Sequence, residues 1–382
     1  MITIDYAAIT ERSGLPPSFI DAFKLLAAGH LKKIRSPNRL SDKPVSFETQ
    51  YRRVINLLAS FRELREDGYK LTSPWNLKQK HIEHLVRKWV LELKQAPGTV
   101  ENKLTYLRTI AAWMGKHNLV GKLDDYIERR PDDYRRTYFA EVEKTWDASG
   151  VDVDGLLRKI EQSDRHVATQ LRLQAAFGLR KKESFLLKPH RVTADGQLRV
   201  DDGTKAKRPR KVQLETEAQY KLLEDACRMA NSMSGTTIPI EYSLDQWRNH
   251  YDYVLRVHGV TKRELQITSH GLRHQYLNGL YHRVTGEFSA IQGGTKPLDA
   301  LHREGMKRVV EAAGHSRESK SNAYLGKHAP ARRQPPSREE VRAALDSCGQ
   351  EKKAAAAKLG ISRQALYRIL AKAPSHRSPA GD

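Results

Sequence analysis

A series of apolar stripes at helical spacing, broken once by a pair of short strand-like segments, constrains this chain more than any other feature. Phe47, Tyr51, Val54, Ile55, Leu58 and Phe61 recur at intervals that keep them on one face. Ile82, Leu85, Val86, Trp89 and Val90 form a second stripe, and Leu104, Leu107, Ile110, Ala111 and Met114 a third. Such stripes are buried only when helices pack against one another. Arg52, Arg53, Lys88, Lys103 and Arg108 are interleaved with them, which reads as a helical bundle with one basic side. The exception to helix lies at Gln197-Leu198-Arg199-Val200 and Lys211-Val212-Gln213-Leu214, which flank Asp202-Gly203-Thr204-Lys205. Two short strands joined by a Gly-containing, Lys-rich turn fit this segment. The expected fold class is mainly α with a small β-sheet (α+β).

A chain of 382 residues divides into about two or three domains. Residues 1–45 carry loop signals at Gly14-Leu15-Pro16-Pro17 and Ser36-Pro37-Asn38, with Lys32, Lys33 and Arg35 adding charge. They read as an N-terminal arm, either weakly ordered or DNA-binding. The helical bundle is placed at 46–145, with Arg129-Arg130-Pro131-Asp132-Asp133 near its end, and a second body at 146–330. Pro330, Pro335 and Pro336 mark a linker to a third unit at 337–373, and 374–382 read as a disordered tail.

Lys and Arg number 67 against 45 Asp and Glu, a formal net charge of +22. A surplus of this size draws polyanions, nucleic acid above all. No apolar run is long enough to span a bilayer, and no signal-peptide core follows Met1, so a membrane is the poorer partner. Cys227 and Cys348 lie far apart with no metal-ligand spacing, so neither a disulfide framework nor a metal site is expected, and a cytoplasmic, nucleoid-associated setting fits.

Four segments carry chemistry suited to phosphoryl transfer. In Gly178-Leu179-Arg180-Lys181-Lys182-Glu183 an arginine ends an apolar helical stretch, with a carboxylate three residues on. A guanidinium clamps phosphate through paired hydrogen bonds, and the carboxylate can hold it in place. The turn after Gly203-Thr204 presents Lys205, with Lys207 left open as the alternative. His270-Gly271-Leu272-Arg273-His274 brings an imidazole and a guanidinium, His270 and Arg273, to one side of a helical turn. Gly314-His315-Ser316 precedes Tyr324 in Asn322-Ala323-Tyr324-Leu325-Gly326. A phenol is a weak nucleophile until deprotonated beside cations.

The order Arg, turn Lys, HxxR, GH and Tyr resembles that of the tyrosine recombinase, or phage integrase, family over about residues 46–330. The resemblance implies a core-DNA-binding domain followed by a catalytic domain. It implies that Arg180 and Arg273 bind the scissile phosphate and that Tyr324 attacks it to form a 3′-phosphotyrosyl bond. Lys205 would protonate the leaving 5′ oxygen, His270 would act in acid–base transfer, His315 would hydrogen-bond the phosphate, and Glu183 would support Arg180. No metal or nucleotide cofactor is implied. The partners implied are double-stranded DNA and further copies of the chain in a synaptic tetramer, with accessory DNA-bending proteins allowed. Two departures stand out. Ala313 occupies a place where the family often has Leu, and residues about 285–298 read as an insertion between Arg273 and His315.

Residues 338–373 resemble a Fis-type helix-turn-helix, quoted as Ala354 to Tyr367 with Lys358-Leu359-Gly360-Ile361-Ser362 at the turn and Ser362 as N-cap. The resemblance implies that Arg363, Gln364, Tyr367 and Arg368 face DNA. The competing function is a non-catalytic DNA-binding regulator, which the basic charge and this unit would serve equally well. A topoisomerase-like or hairpin-resolving enzyme is a third reading, since the same residues would serve it.

Overall fold

The computed structural model describes residues 9–10, 13–33, 44–128, 134–205, 208–328, 336–361 and 363–371. The chain separates into two units, Met1–Thr137 and Tyr138–Asp382. The boundary falls a few residues before the one expected from the sequence. The fold is mainly helical, and among the described residues its one sheet has two strands.

In the first unit α1 (Pro17–His30), α2 (Phe47–Glu66), α3 (Gln79–Arg87, continued by a π-turn at Lys88–Glu92) and α4 (Pro97–Trp113) enclose one apolar core. Two corrections to the sequence reading arise here. Residues 17–31 are no arm. Pro17 opens a helix, as proline does at a first turn where its missing N–H costs nothing. Phe19, Ile20, Phe23, Leu26 and Leu31 are buried, with the Phe19 and Phe61 rings 4.8 Å apart. Each such side chain contributes roughly 1.5–3 kcal/mol when fully buried, which is why the segment stays in the core.

The basic residues of the bundle are also not one open face. Arg53 is buried and donates to the Leu31 and Lys33 carbonyls, each at 2.9 Å. Lys88 pairs with Asp67 at 2.5 Å, Lys103 lies over the Trp89 ring and pairs with Glu63 at 3.2 Å, and Arg108 donates to the Gly121 carbonyl. Of the five, only Arg52 stands mostly in solvent, paired with Glu48. The others are internal staples, their stems packed on apolar surface and their heads satisfied locally.

The second unit contains α5 (Val153–Ser163), α6 (Arg165–Phe177), α7 (Lys181–Leu186), the hairpin β1 (Gln197–Val200) and β2 (Arg210–Gln213), α8 (Glu217–Arg228), α9 (Leu244–Val257), α10 (Ser269–Thr285), α11 (Asp299–Ala312) and the short α12 (Asn322–Leu325). The strands pair antiparallel with Gln197 opposite Gln213 and Val200 opposite Arg210. Leu198, Val200 and Val212 face a core shared with Leu173, Phe177 and Leu223. A second core gathers Trp146, Phe185, Trp247 and Tyr251, and a third joins Leu277 and Tyr281 of α10 to Val309 of α11 and Leu325 of α12. Buried polar groups tie α6 to its neighbours. Gln174 Nε2 donates to Ser184 Oγ at 3.1 Å and to the Tyr251 hydroxyl at 2.8 Å, which fixes α7 against α6.

The C-terminal helices α13 (Arg338–Ser347), α14 (Lys352–Lys358) and α15 (Arg363–Ala371) bury Val341, Leu345, Ala355 and Leu366 among themselves. Ser337 caps α13, its Oγ accepting from Glu340 N and its own N–H donating to Glu340 Oε2. Ser362, the expected cap of α15, lies outside the described residues, as do Lys207 and 374–382. Among the described residues no helix is long and apolar enough to cross a membrane.

Candidate active site

The site begins where α6 stops. Gly178 takes a left-handed conformation (φ 59°), the usual way to end a helix, and the chain turns into extended backbone at Arg180 before α7 starts. The Glu183 carboxylate caps that new helix by accepting the Arg180 backbone N–H at 2.7 Å. The same carboxylate, wholly buried, accepts the Arg180 guanidinium at 2.5 Å and pairs with Arg210 at 2.8 Å and, more distantly, with Arg273 at 3.8 Å. Burial alone would raise the Glu183 pKa. The charges of Arg210 and then Arg180 outweigh it and hold the group below the ordinary carboxylate range. One carboxylate thus organises three guanidiniums, leaving the cluster with an excess of positive charge.

Arg273 comes from the first turns of α10. Gly271 sits at that helix start because a side chain there would collide with the Lys144 carbonyl and the Trp146 ring. Arg273 is fully buried, donating to the Gly178 carbonyl and, at 2.6 Å, to the Ala313 carbonyl. Its Nε lies 3.3 Å from the Tyr324 hydroxyl. Burial, together with the Arg180 and Arg210 charges, draws its pKa down to about 10, which leaves it a cation at neutral pH.

Tyr324 is carried by α12 and is 6% exposed. Its hydroxyl also meets His315 Nε2, again at 3.3 Å. Burial, reinforced by Arg180, Arg273 and Lys205, pushes the His315 pKa down to about 4. His270 is likewise held at about 4, by burial and then the Arg273 and Arg180 charges. Its ring is 6.4 Å from that of Tyr324. Both imidazoles are therefore uncharged at neutral pH.

The structure brings together Arg180, Glu183, His270, Arg273, His315 and Tyr324. Lys205 is exposed at the hairpin turn, near enough for its charge to act on His315. On the C-terminal unit Arg363 and Tyr367 are exposed, with Lys352 over the Tyr367 ring at 5.3 Å, while the Gln364 and Arg368 side chains lie outside the described residues.

Three contributors escaped the sequence reading. Arg210 joins the Glu183 cluster. His274 packs its ring 4.9 Å from that of Tyr324, its own pKa held at about 3 by burial and then by His270. The interval from His270 to His274, one helical turn, was the available signal. Asn278 Nδ2 donates to the Tyr324 carbonyl at 3.3 Å, and its Oδ1 accepts from Ser289 Oγ at 2.5 Å. Part of the segment read as an insertion therefore lies under the turn that bears Tyr324. Among the described residues no group of three or more His, Cys, Asp or Glu is placed to hold a metal ion.

Three stretches of the chain match known protein families. Residues 39–120 match the family described as phage integrase, N-terminal, and residues 144–278 match the family described as integrase. Residues 337–372 match the family described as bacterial regulatory protein, Fis family. The chain thus carries two stretches that match phage integrase domains, followed by one that matches a Fis-type helix-turn-helix.

Among solved structures it is similar to the XerH site-specific recombinase bound to palindromic difH substrate, with 15% identity over 79% of this chain and 78% of that one and a TM-score of 0.45. It is similar to the Tn1549 transposon integrase in complex with transposon right end DNA, with 13% identity over 85% and 98% of the two chains and a TM-score of 0.47. It is also similar to a lambda integrase dimer bound to a COC′ core site, with 13% identity over 82% and 97% and a TM-score of 0.49. No curated protein matches it.

Proposed function

We propose that this chain cleaves and rejoins DNA at specific sites through a 3′-phosphotyrosyl intermediate formed on Tyr324. The observation that carries the reading is the position of the Tyr324 hydroxyl, 3.3 Å from both Arg273 Nε and His315 Nε2. A phenol that serves packing alone has no need of both a buried guanidinium and an uncharged imidazole within reach of its hydroxyl.

In the forward step the Tyr324 oxygen bonds to phosphorus and the bond from phosphorus to the 5′ oxygen breaks. His315, uncharged at neutral pH, is the imidazole placed to take the hydroxyl proton. The sequence reading gave acid–base work to His270 and a phosphate hydrogen bond to His315. The distances favour the exchange of these roles, with His270 on the phosphate. Arg180 and Arg273 supply fixed positive charge where the transition state gathers negative charge, and loss of such a donor costs roughly 10²–10³-fold in rate. Lys205 delivers a proton to the departing 5′ oxygen. Attack by a 5′-hydroxyl on the tyrosyl phosphate reverses each transfer and reseals the strand. The phosphodiester energy is kept in the covalent bond, so no cofactor is called for.

Double-stranded DNA is the substrate, gripped by the 46–145 and 146–330 domains, with four copies of the chain holding two duplexes. The 337–373 unit reads sequence beside the crossover site through Arg363, Gln364, Tyr367 and Arg368. Removal of 337–382 is expected to weaken sequence preference, and unchanged preference on a random-site library would remove that role. The test of the main reading is covalent trapping on nicked duplexes taken from the ends of the protein's own genetic locus. Wild type is expected to give a denaturant-resistant adduct and Tyr324→Phe none. DNA binding without an adduct, across a random-site library as well, would favour a binding-only regulator.

A further inference from the structure

Arg210 occupies a strand position that the hairpin pattern reserves for an apolar side chain. It alternates inward with Val212 and pairs with Val200 on the last rung before the turn. An arginine there is costly to bury without a partner. Its side chain is 5% exposed, and its Nη1 stands 2.8 Å from Glu183 Oε1. Among the described residues none of its three guanidinium nitrogens meets a hydrogen-bond acceptor in good geometry, so its anchorage is the close ion pair with Glu183. Its Cδ lies against Gly314, beside His315.

The turn itself makes a second contact with the same short helix. Gly203, at φ 72°, lies so close to the Lys182 carbonyl and the Glu183 N–H that any side chain would collide with them. The hairpin end is therefore pinned to α7 at two points, by Gly203 on the backbone and by Arg210 on the Glu183 carboxylate. Lys205 lies between these two points in sequence.

We propose that Arg210 is a positioning residue for strand cleavage. It fastens the Lys205 turn to the carboxylate that also orients Arg180, so that the proton donor and the phosphate clamp are held in one register. The inference rests on the reading of Lys205 as the group that protonates the 5′ oxygen.

The experiment uses the full chain and a nicked duplex carrying the sequence at which the wild-type protein forms its adduct. The duplex is made with either oxygen or sulfur bridging phosphorus and the 5′ carbon. A thiolate leaves without a proton, so a sulfur substrate restores any variant whose defect is proton delivery. Single-turnover cleavage of the oxygen substrate is expected to fall about 100-fold in Arg210→Met, the scale of a misplaced catalytic group. It is expected to fall roughly 10²–10⁴-fold in Lys205→Met.

Sulfur should bring both variants back to near the wild-type rate, while Arg180→Ala stays slow. Restoration itself shows that the Arg210 variant is folded. Arg210→Lys, which keeps the buried cation but shortens its reach, should show a smaller loss with the same restoration. In the Lys205→Met background, Arg210→Met should add almost nothing on the oxygen substrate, because the two act through one step.

An unchanged oxygen rate in Arg210→Met, a defect that sulfur leaves in place, or fully additive losses would overturn the proposal. Failure of sulfur to restore Lys205→Met would instead overturn the Lys205 assignment on which it stands. Absence of any wild-type adduct would overturn the recombinase reading as a whole.

Discussion

Arg180 and Arg273 come from segments far apart in the chain, yet their Nη2 atoms donate to one and the same acceptor, the Ala313 carbonyl, at 2.8 and 2.6 Å. Glu183 pairs with both through their Nη1 atoms, at 2.5 and 3.8 Å. The two guanidiniums are thus held by a backbone oxygen and a buried carboxylate. The charge they present is fixed before any phosphate arrives, which is what makes such groups effective in a transition state.

Removal of the carboxylate should be felt first as lost stability. Glu183→Ala leaves Arg180, Arg210 and Arg273 crowded without a counter-charge, and breaking a buried ion pair in this way costs about 3–5 kcal/mol. Urea unfolding followed by circular dichroism should show a correspondingly lower midpoint. A midpoint equal to that of wild type would mean that the carboxylate does not neutralise the cluster.

Acid should weaken the second unit in a defined window. His270 and His315 are held near a pKa of about 4 and His274 near about 3, in each case first by burial. Unfolding returns them to the ordinary value of about 6.5, so the unfolded chain binds more protons than the folded one between these limits. The stability they contribute is complete above about pH 6.5 and is lost as pH falls toward 4. Denaturant midpoints measured across that range should decline, and His274→Asn should flatten the decline. An equal slope in the variant would show that this imidazole is not buried uncharged.

The N-terminal helix should behave as core. Phe19→Ala removes a wholly buried ring, for which about 3–5 kcal/mol is the usual cost. Limited proteolysis should then cut the first unit much faster than in wild type. Equal protection would return residues 17–31 to the status of an arm.

That helix marks the limit of sequence reading here. Pro16-Pro17 signals a break, and the same pair also starts a helix, so the signal alone could not decide. The apolar run from Phe19 to Leu26 was the better guide. The hairpin was legible because alternation of Leu198, Val200 and Val212 around a glycine turn has few other solutions. Arg273 and His315 were legible because their spacing carries the chemistry within one segment. Arg210 and Ser289 were not, because their roles arise from contacts with Glu183 and Asn278, distant in sequence, and depend on tertiary packing alone. The basic side of the bundle failed for a related reason. Spacing tells which face a residue shares, but not that Arg53 and Lys88 would turn back onto carbonyls and Asp67.

The central claim is that Tyr324 carries the covalent bond to DNA. The most direct measurement is peptide mapping of the trapped adduct after nuclease and protease digestion. Mass spectrometry should place the nucleotide remnant on the Tyr324 hydroxyl, joined through a 3′-phosphate. A remnant on any other side chain, or joined through a 5′-phosphate, would contradict the account.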